Sequence, residues 1–285
     1  MIIITGATGA LNGATVEHLL RRIPADQIGV SVRDIAKAQH FADRGVRVRR
    51  GSYDDPAALL DSFEGAEQVL LVSSGAPSAD AASLHRVAIQ TAIAAGARRI
   101  LYTSHQGAGP RSPFRPARDH AATEVLLASS GVAWTALRNG FYAHSLDWLL
   151  GPWRETGVIE APADGPVSWT DRADEAEAAA VILAGDQPYD GPVTLTASAA
   201  PTLDEIARIT SELTGRDIRR VMADDDTWVA RQVANGTPEL MARFTLGIFQ
   251  AAREGRFAGT DPLLGDLLGR KPRAVRDLLA ERAAA

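Results

Sequence analysis

Short apolar runs alternate with longer segments of helical periodicity through the first half of the chain. The runs predict β-strands at residues 1–5, 27–32, 46–50, 67–73, 99–104 and 132–138. The longer segments predict helices at residues 10–22, 34–44, 56–63, 79–95 and 118–130. This repeated alternation predicts an α/β fold with a doubly wound parallel sheet, helices on both faces and a ligand crevice at the carboxyl ends of the strands.

The pattern changes after Asn139, where Gly-Pro and Pro positions mark a loop-rich stretch. Residues 171–184 and 203–213 read as helices, the second opened by a capping box of Thr202 and Glu205. Short strands are predicted at 193–196 and 218–222, and the chain from 224 onward is mostly helical. We therefore predict a nucleotide-binding domain at 1–150, to which 167–189 returns, and a smaller, mostly helical α/β substrate region at 151–285.

Composition excludes several kinds of chemistry. The 285 residues are 46% hydrophobic and 23% charged, as in globular proteins, and the net charge of −5 argues against general nucleic-acid binding. The absence of cysteine excludes disulfides, thiol nucleophiles and iron–sulfur clusters. No apolar run reaches the ~20 residues of a membrane span, and no signal peptide is visible, so we expect a cytoplasmic protein. The histidines have no metal-site spacing, and Asp224-Asp225-Asp226 reads as a solvated helix start beside Thr227 rather than as a cation site.

A glycine-rich turn joins the first strand to the first helix. Gly6 and Gly9 let the backbone turn sharply and let a pyrophosphate approach the amino end of the helix, where free N–H groups favour negative charge. Asn12 stands where a third glycine normally permits close packing of helix and strand, and Gly13 follows it. Either Asn12 displaces the helix slightly, with weaker cofactor binding, or Gly13 takes the packing role. The context of this turn predicts a dinucleotide site that includes Asn12.

The end of the second strand bears on which nucleotide is bound. Val32 is the last strand residue and Arg33 follows it, with Lys37 one helical turn further on. An arginine here can hold the 2′-phosphate of NADP by paired hydrogen bonds, and Lys37 adds a second positive charge. Asp34 reads as the N-cap of the next helix rather than as a ligand of the NAD ribose. NADP is therefore favoured over NAD.

Three segments together resemble the NmrA-like branch of the atypical short-chain dehydrogenases: the turn at 3–9, the run 32–38 and the run 51–56. Residues 102–104, 120–124 and 137–142 extend this resemblance, which looks closest to type-2 NAD(P)H:quinone oxidoreductases and triphenylmethane reductases. It implies a Rossmann-type domain with a small C-terminal α/β region, and a cleft between them for nicotinamide and substrate.

The resemblance implies pyrophosphate contacts from Gly6, Thr8, Gly9, Ala10 and Leu11, 2′-phosphate contacts from Arg33 and Lys37, and adenine contacts from Ser52 and Tyr53. It further implies a ribose path along Ser73, Ser74 and Gly75, Thr103 and Ser104 after the fifth strand, and Asn139, Phe141 and Tyr142 near the nicotinamide. Family members often have Asp where Ser52 stands, which leaves that contact open.

The usual catalytic pair of short-chain dehydrogenases, a Tyr followed four residues later by Lys, is absent. The tyrosines at 53, 102, 142 and 189 are followed at that spacing by Ala, Gln, Leu and Val. His120 occupies the place of the lysine and is the first candidate for a proton donor, although it can equally cap or pack a helix. His105 is a second candidate. Ser104 and Tyr142 complete the candidate catalytic residues, and Tyr142 is either a hydrogen-bond donor or a stacking surface.

Three functions remain open at this point. The first is an NADPH-dependent reductase of quinones or similar conjugated, aromatic acceptors, which need little acid–base help because they are already electrophilic. The second is a non-catalytic NAD(P)-sensing regulator, and the third is a biosynthetic tailoring reductase or isomerase. A homodimer, a common assembly of soluble enzymes, also stays open.

Overall fold

The computed structural model describes residues 1–74 and 80–283. The described residues form eleven strands: β1 Ile2–Thr5, β2 Ile28–Val32, β3 Arg47–Arg50, β4 Gln68–Leu71, β5 Arg99–His105, β6 Ala133–Asn139, β7 Phe141–Tyr142, β8 Val158–Ala161, β9 Trp169–Thr170, β10 Gly191–Leu195 and β11 Arg219–Met222. They also form thirteen α-helices: α1 Ala10–Leu19, α2 Gln39–Ala42, α3 Pro56–Ser62, α4 Ala81–Ala94, α5 Arg115–Ala128, α6 Leu146–Leu149, α7 Trp153–Thr156, α8 Arg172–Ala184, α9 Leu203–Thr214, α10 Asp225–Ala234, α11 Glu239–Arg253, α12 Leu263–Leu268 and α13 Val275–Ala283.

Seven of the described strands form one parallel sheet in the order β10-β6-β5-β4-β1-β2-β3. The direction of winding reverses between β1 and β4, and ligands of such sheets bind at this reversal. The doubly wound α/β prediction is therefore confirmed. The strand predicted at 193–196 is β10, which extends this sheet instead of lying in the C-terminal region. Sequence reasoning missed that placement because a strand of five residues carries no signal for its partner.

The two faces of the sheet bury separate hydrophobic clusters. Ile2 and Ile4 of β1 point to the face covered by α1 and α8, whereas Ile3 points to the face covered by α3, α4 and α5. This division follows from the alternation of side chains along a strand. A third cluster fills the C-terminal region around Trp153 and Trp228, and it reaches the end of the sheet through several phenylalanines.

Two predicted features of the C-terminal half are confirmed. Thr202 and Glu205 form the capping box at the start of α9, with the Thr202 hydroxyl accepting from the Glu205 N–H. Asp224 caps α10 by accepting from the Thr227 N–H at 2.9 Å, as expected for a solvated helix start. None of the helices in the described ranges has the length and apolar character needed to cross a membrane.

Two predicted elements were wrong. The helix expected at 34–44 is a 3₁₀ turn, Ile35–Ala38, followed by the four-residue α2. Only Ala38 and Phe41 are buried there, and a segment with so few buried residues cannot sustain a continuous α-helix. The stretch expected to be loop from 151 to 166 contains β8, which pairs in parallel with β11.

Candidate functional site

A cavity of about 510 Å³ opens at the carboxyl ends of β1, β2 and β4, at the reversal of the sheet. Four predicted cofactor segments line it: the glycine turn, the end of β2, the residues after β3 and the segment after β4. The lining residues among the predicted set are Gly6, Thr8, Arg33, Ser52, Tyr53, Ser73 and Ser74. Gly75 lies outside the described residues.

The glycine turn has the geometry that a diphosphate requires. Gly6 has a φ of +65°, and a Cβ there would lie 2.6 Å from Val72 Cγ1, so both backbone and space demand glycine. The Gly9 N–H donates to the Gly6 carbonyl at 2.9 Å and closes the turn. Helix α1 then begins at Ala10 without a side-chain cap. Its first N–H groups are therefore available to an anion.

Asn12 is turned into the fold. Its side chain is 1% exposed, and Nδ2 donates to the Thr5 carbonyl at 2.8 Å. It ties α1 to β1 and does not line the cavity. Gly13 takes the packing role, because a Cβ there would lie 2.9 Å from the Ala7 carbonyl oxygen. Of the two alternatives for this turn, the structure supports the one in which Gly13 replaces the missing third glycine.

The segment after β4 is held by three side chains in succession. Its backbone N–H groups donate from Val72 to Thr5 Oγ1 at 2.8 Å, from Ser73 to Thr103 Oγ1 at 2.9 Å and from Ser74 to His85 Nε2 at 2.7 Å. Predicted site residue Thr103 thus positions the wall of the cavity from behind, since its own side chain is buried. His85 was missed, because a histidine in the middle of a helix gives no sequence signal for a partner in a distant loop.

Tyr53 closes the inner end of the cavity. Its hydroxyl lies 2.7 Å from Thr5 Oγ1 and donates to the Val72 carbonyl at 2.9 Å. Burial raises the pKa of Tyr53, so it stays protonated. The phenol therefore joins the carboxyl ends of β1 and β4 and leaves its ring edge along the cavity.

The two predicted 2′-phosphate residues occupy different places. Arg33 lines the cavity, and no carboxylate lies within 4 Å of its guanidinium in the described chain. Lys37 is exposed, sits 3.9 Å from Asp34 and does not line the cavity. Asp34 caps the 3₁₀ turn through the Ala36 N–H, as predicted. The hydroxyl of Ser52, and to a lesser degree Arg33, lower the pKa of the neighbouring Asp54 carboxyl.

His85 has both ring nitrogens engaged, which fixes its protonation. Nε2 accepts the Ser74 N–H, so this nitrogen carries no proton. Nδ1 lies 2.7 Å from Thr123 Oγ1, whose own proton goes to the Asp119 carbonyl at 2.8 Å, so Nδ1 donates. His85 is neutral, and burial lowers its pKa to about 4.

Tyr102 connects His85 to His120. Its buried hydroxyl lies 2.9 Å from His120 Nδ1 and 3.5 Å from His85 Nδ1. Since His85 Nδ1 carries a proton, His120 Nδ1 is the acceptor, and neutral His120 keeps its own proton at Nε2. Burial, followed by the neighbouring His105 and His85, lowers the pKa of His120 well below its ordinary value. Burial raises the pKa of Tyr102.

An aromatic cluster surrounds His105 at the carboxyl end of β5. Its Nδ1 accepts the Gly107 N–H at 2.9 Å, which leaves the ring proton at Nε2, and burial lowers its pKa to about 4. The surrounding ring centroids lie at 5.2 Å for Phe257, 5.4 Å for Phe141, 5.9 Å for Phe114 and 6.1 Å for the stacked His120. Predicted residues Phe141, His105 and His120 thus come together, and Phe257 joins them from the C-terminal region.

The hydroxyl of Ser104, a candidate catalytic residue, is hydrogen-bonded to the ion pair of Glu124 and Arg138. Its hydroxyl donates to Glu124 Oε1 at 2.6 Å, and Arg138 binds the same carboxylate through two nitrogens at 3.0 and 2.6 Å. The Arg138 pKa is raised mainly by this hydrogen bond. Ser104 is 3% exposed. In this structure its proton is held by Glu124 and is directed away from the cluster around His105.

Asn139 and Tyr142 lie beside a buried carboxyl that sequence reasoning missed. Asn139 Nδ2 donates to the Tyr142 hydroxyl at a long 3.4 Å, while Asn139 Oδ1 has no partner. Glu175 on α8 is fully buried, and neither carboxyl oxygen has a hydrogen-bond partner in the described chain. Burial, with the charges of nearby aspartates, raises its pKa well above the ordinary value, so it is protonated. The sequence did carry a signal for this burial, because Glu175 lies at helical spacing from Ala179 and Ile182 and therefore shares their buried face of the helix.

The glycine turn, the cavity and Arg33 fit a dinucleotide with a 2′-phosphate. A family model described as NAD(P)H-binding matches residues 6–184. The chain belongs to this NAD(P)H-binding family.

The chain is similar to proteins that are named as oxidoreductases. It is 35% identical to quinone oxidoreductase 2 of Escherichia coli (strain K12) over 271 residues, 94% of each protein. It is 29% identical to an NmrA-like family domain-containing oxidoreductase of Aspergillus flavus over 291 residues, 98% of this chain and 95% of the relative.

Two solved structures of such reductases are similar in fold over nearly the whole chain. The NADPH-dependent quinone oxidoreductase of Escherichia coli complexed with NADPH gives a TM-score of 0.93 at 33% identity, covering 99% of both chains. The Citrobacter sp. triphenylmethane reductase complexed with NADP(H) gives 0.90 at 30% identity, covering 99% of this chain and all of the other. The chain is thus an NAD(P)H-dependent oxidoreductase with NADP as its cofactor, and the resemblance to NmrA-like reductases is confirmed.

Proposed function

We propose that this NAD(P)H-dependent oxidoreductase reduces quinones or similarly conjugated, aromatic electrophiles, without a Tyr–Lys pair. NADPH, when bound, supplies the hydride, and a quinone that also takes one proton becomes a hydroquinone. The chain must then bind the cofactor, hold a flat acceptor beside it and offer a hydrogen bond to the acceptor oxygen.

The observation that carries this proposal is the aromatic cluster around His105. Phe114, Phe141 and Phe257 meet that ring edge-on or tilted with centroids 5.2 to 5.9 Å away. These rings are 6% exposed or less, so the cluster gives His105 and His120 apolar surroundings, which favour a flat, conjugated ring over a hydroxylated substrate. The histidines are neutral, so they add polarity without net charge. The relatives named as quinone and triphenylmethane reductases agree with such an acceptor.

His120 is the residue to which we assign the polar contact. Its Nδ1 accepts the hydrogen bond from the Tyr102 hydroxyl, which leaves its own N–H at Nε2. A donor fixed in advance by a buried partner stabilises negative charge that develops on an acceptor oxygen. Because the pKa of Tyr102 is raised, the phenol does not give up its proton, so we assign the proton that completes the product to water. Tyr142 is then a stacking surface next to His144, whose ring lies 5.6 Å away at 22°.

The cofactor contacts follow the same plan. We assign the diphosphate to the amino end of α1, the 2′-phosphate to Arg33, and the adenine side to Ser52 and Tyr53. Ser73 and Ser74 present the ribose wall, with Thr103 behind them. Asn139 has an unpartnered buried Oδ1, which suits a donor such as the nicotinamide carboxamide.

The test is NADPH oxidation with 1,4-naphthoquinone by the wild-type enzyme and by His120→Asn and His40→Asn. His40 is exposed, does not line the cavity and is not part of the cluster around His105, so His40→Asn is the matched control. We expect turnover with the wild type, an unchanged rate for His40→Asn and a loss of about 10- to 1,000-fold in kcat for His120→Asn, the range for one lost donor to a developing oxyanion.

Two results would count against the proposal. Measurable NADPH binding with no turnover of any quinone, dye or enone would favour the NAD(P)-sensing regulator. A wild-type kcat in His120→Asn would show that His120 takes no part in the reaction, and the proposal would then rest on the aromatic cluster around His105 alone.

A further inference from the structure

A second cavity, of about 290 Å³, lies beside α1. It is bounded by α1, by the residues that follow β7 and by the start of α8. The C-terminal helix α13 closes it with one side chain. The lining residues are Ala10, Ala14, Ala143, His144, Asp171, Arg172, Ala173 and Leu278. The cavity therefore touches both the diphosphate end of α1 and the neighbourhood of Tyr142.

Among the described residues, Arg172 lacks the carboxylate partner that the neighbouring Arg273 has, which pairs with both Asp171 and Glu281. Both oxygens of the Asp171 carboxylate are engaged, one with the Ala173 N–H at 3.0 Å and the other with Arg273 at 2.8 Å. Arg172 has no carboxylate within 4 Å in residues 1–74 and 80–283, and its guanidinium contacts His144 Nε2 at 3.4 Å. Glu175, one turn along α8, is buried, and its carboxyl oxygens make no hydrogen bond to Arg172.

The contact with His144 holds the guanidinium in place. Arginine only donates, so His144 Nε2 is the acceptor in this contact. The His144 ring is stacked in turn on Tyr142. A half-buried cation that is positioned by a neighbouring side chain and faces a cavity is suited to a bidentate oxyanion.

The glycine turn makes such a cation useful. Residues 5–14 contain no charged side chain, so the amino end of α1 is the only positive feature that the turn offers a diphosphate. A helix end supplies about half a unit charge, whereas a diphosphate carries about two.

We propose that Arg172, with His144 beside it, forms an oxyanion site in this second cavity. The oxyanion comes either from the cofactor diphosphate or from a carboxylate, phosphate or sulfonate group on the acceptor. The acceptor source rests on the proposed function, whereas the cofactor source does not.

The test compares wild type with Arg172→Gln, Arg172→Lys and Arg21→Gln. Arg21 is exposed near the end of α1 and gives the same change in net charge. Dissociation constants for NADPH and NADH are measured by nicotinamide fluorescence without any acceptor. The kcat/KM values are measured for 1,4-naphthoquinone and 1,4-naphthoquinone-2-sulfonate, a neutral and an anionic acceptor of the same shape. Thermal unfolding of each variant verifies the fold.

Each outcome decides the matter. A rise of about tenfold or more in Kd for both NADPH and NADH in Arg172→Gln, with partial recovery in Arg172→Lys, supports the cofactor diphosphate. An unchanged Kd with a loss of about tenfold or more in the preference for the sulfonated quinone supports the acceptor anion. Agreement of Arg172→Gln with Arg21→Gln within twofold in both measurements overturns the site. No turnover by wild type would refute the proposed function instead, and the binding arm would still decide whether Arg172 holds the diphosphate.

Discussion

Acid should destabilise this enzyme through His85, whose ring cannot accept a second proton without losing a bond. The Ser74 N–H occupies Nε2, and burial lowers the pKa to about 4 from an ordinary 6.5. Between these two values the unfolded chain binds a proton that the folded chain refuses, so the free energy of unfolding falls as pH falls through this window. Integrating the two pKa values from pH 7 to pH 5 gives a loss of about 2 kcal/mol from His85 alone.

The assay is urea unfolding at pH 7 and pH 5 for wild type, His85→Gln and His40→Asn. His85→Gln is expected to be less stable at pH 7, because it disturbs the contacts to Ser74 and Thr123. Its further loss on going to pH 5 should nevertheless be smaller than that of wild type by about 2 kcal/mol. His40→Asn should follow the wild type within about 0.5 kcal/mol, as exposed substitutions do. If His85→Gln shows the full wild-type loss between the two pH values, the protonation assigned to His85 is wrong.

Three other predictions concern single side chains. Arg33→Ala should raise the Kd of NADPH by about 10- to 100-fold and leave NADH within about threefold in fluorescence titrations, because only NADPH carries the 2′-phosphate; equal losses would contradict the assignment. Ser104→Ala should keep kcat within about threefold, since its proton is held by Glu124, and should lower the free energy of unfolding in urea by about 1 kcal/mol; a hundredfold loss of kcat would make Ser104 catalytic. Glu175→Gln should gain stability relative to wild type as pH rises from 5 to 8, because the raised pKa of Glu175 means that the unfolded chain releases a proton that the folded chain keeps; parallel stability curves in urea unfolding would show that Glu175 is ionised in the fold.

Local patterns predicted the parts of the fold that depend on local chemistry. The apolar run at residues 1–5 and the glycines that follow it placed β1 and the diphosphate turn correctly, because the conformation of the turn depends on Gly6 itself. Capping residues Thr202 and Asp224 were predicted for the same reason. The strand at 193–196 was found, but its position in the sheet was not, since pairing depends on residues some 55 positions away.

The candidate site shows the same division. Arg33 follows β2 directly, and both its place at the strand end and the family resemblance predicted a position at the cavity, which it lines. Lys37 was expected beside it, but the 3₁₀ turn in place of a helix takes Lys37 away from the cavity. The roles of Ser104 and His85 depend on the partners Glu124 and Ser74, which are distant in sequence, so the residue types alone could not distinguish a catalytic group from a positioning one.

The most direct test of the account is a single turnover with stereospecifically deuterated NADPH and 1,4-naphthoquinone, followed by stopped-flow absorbance. If the acceptor is held on one side of the nicotinamide, each NADPH gives one hydroquinone. Deuterium on one face of the nicotinamide then gives a primary isotope effect, and deuterium on the other face gives none. An enzyme that binds NADPH but transfers no hydride to the quinone, or one that shows no isotope effect from either face, would contradict direct hydride transfer in this site.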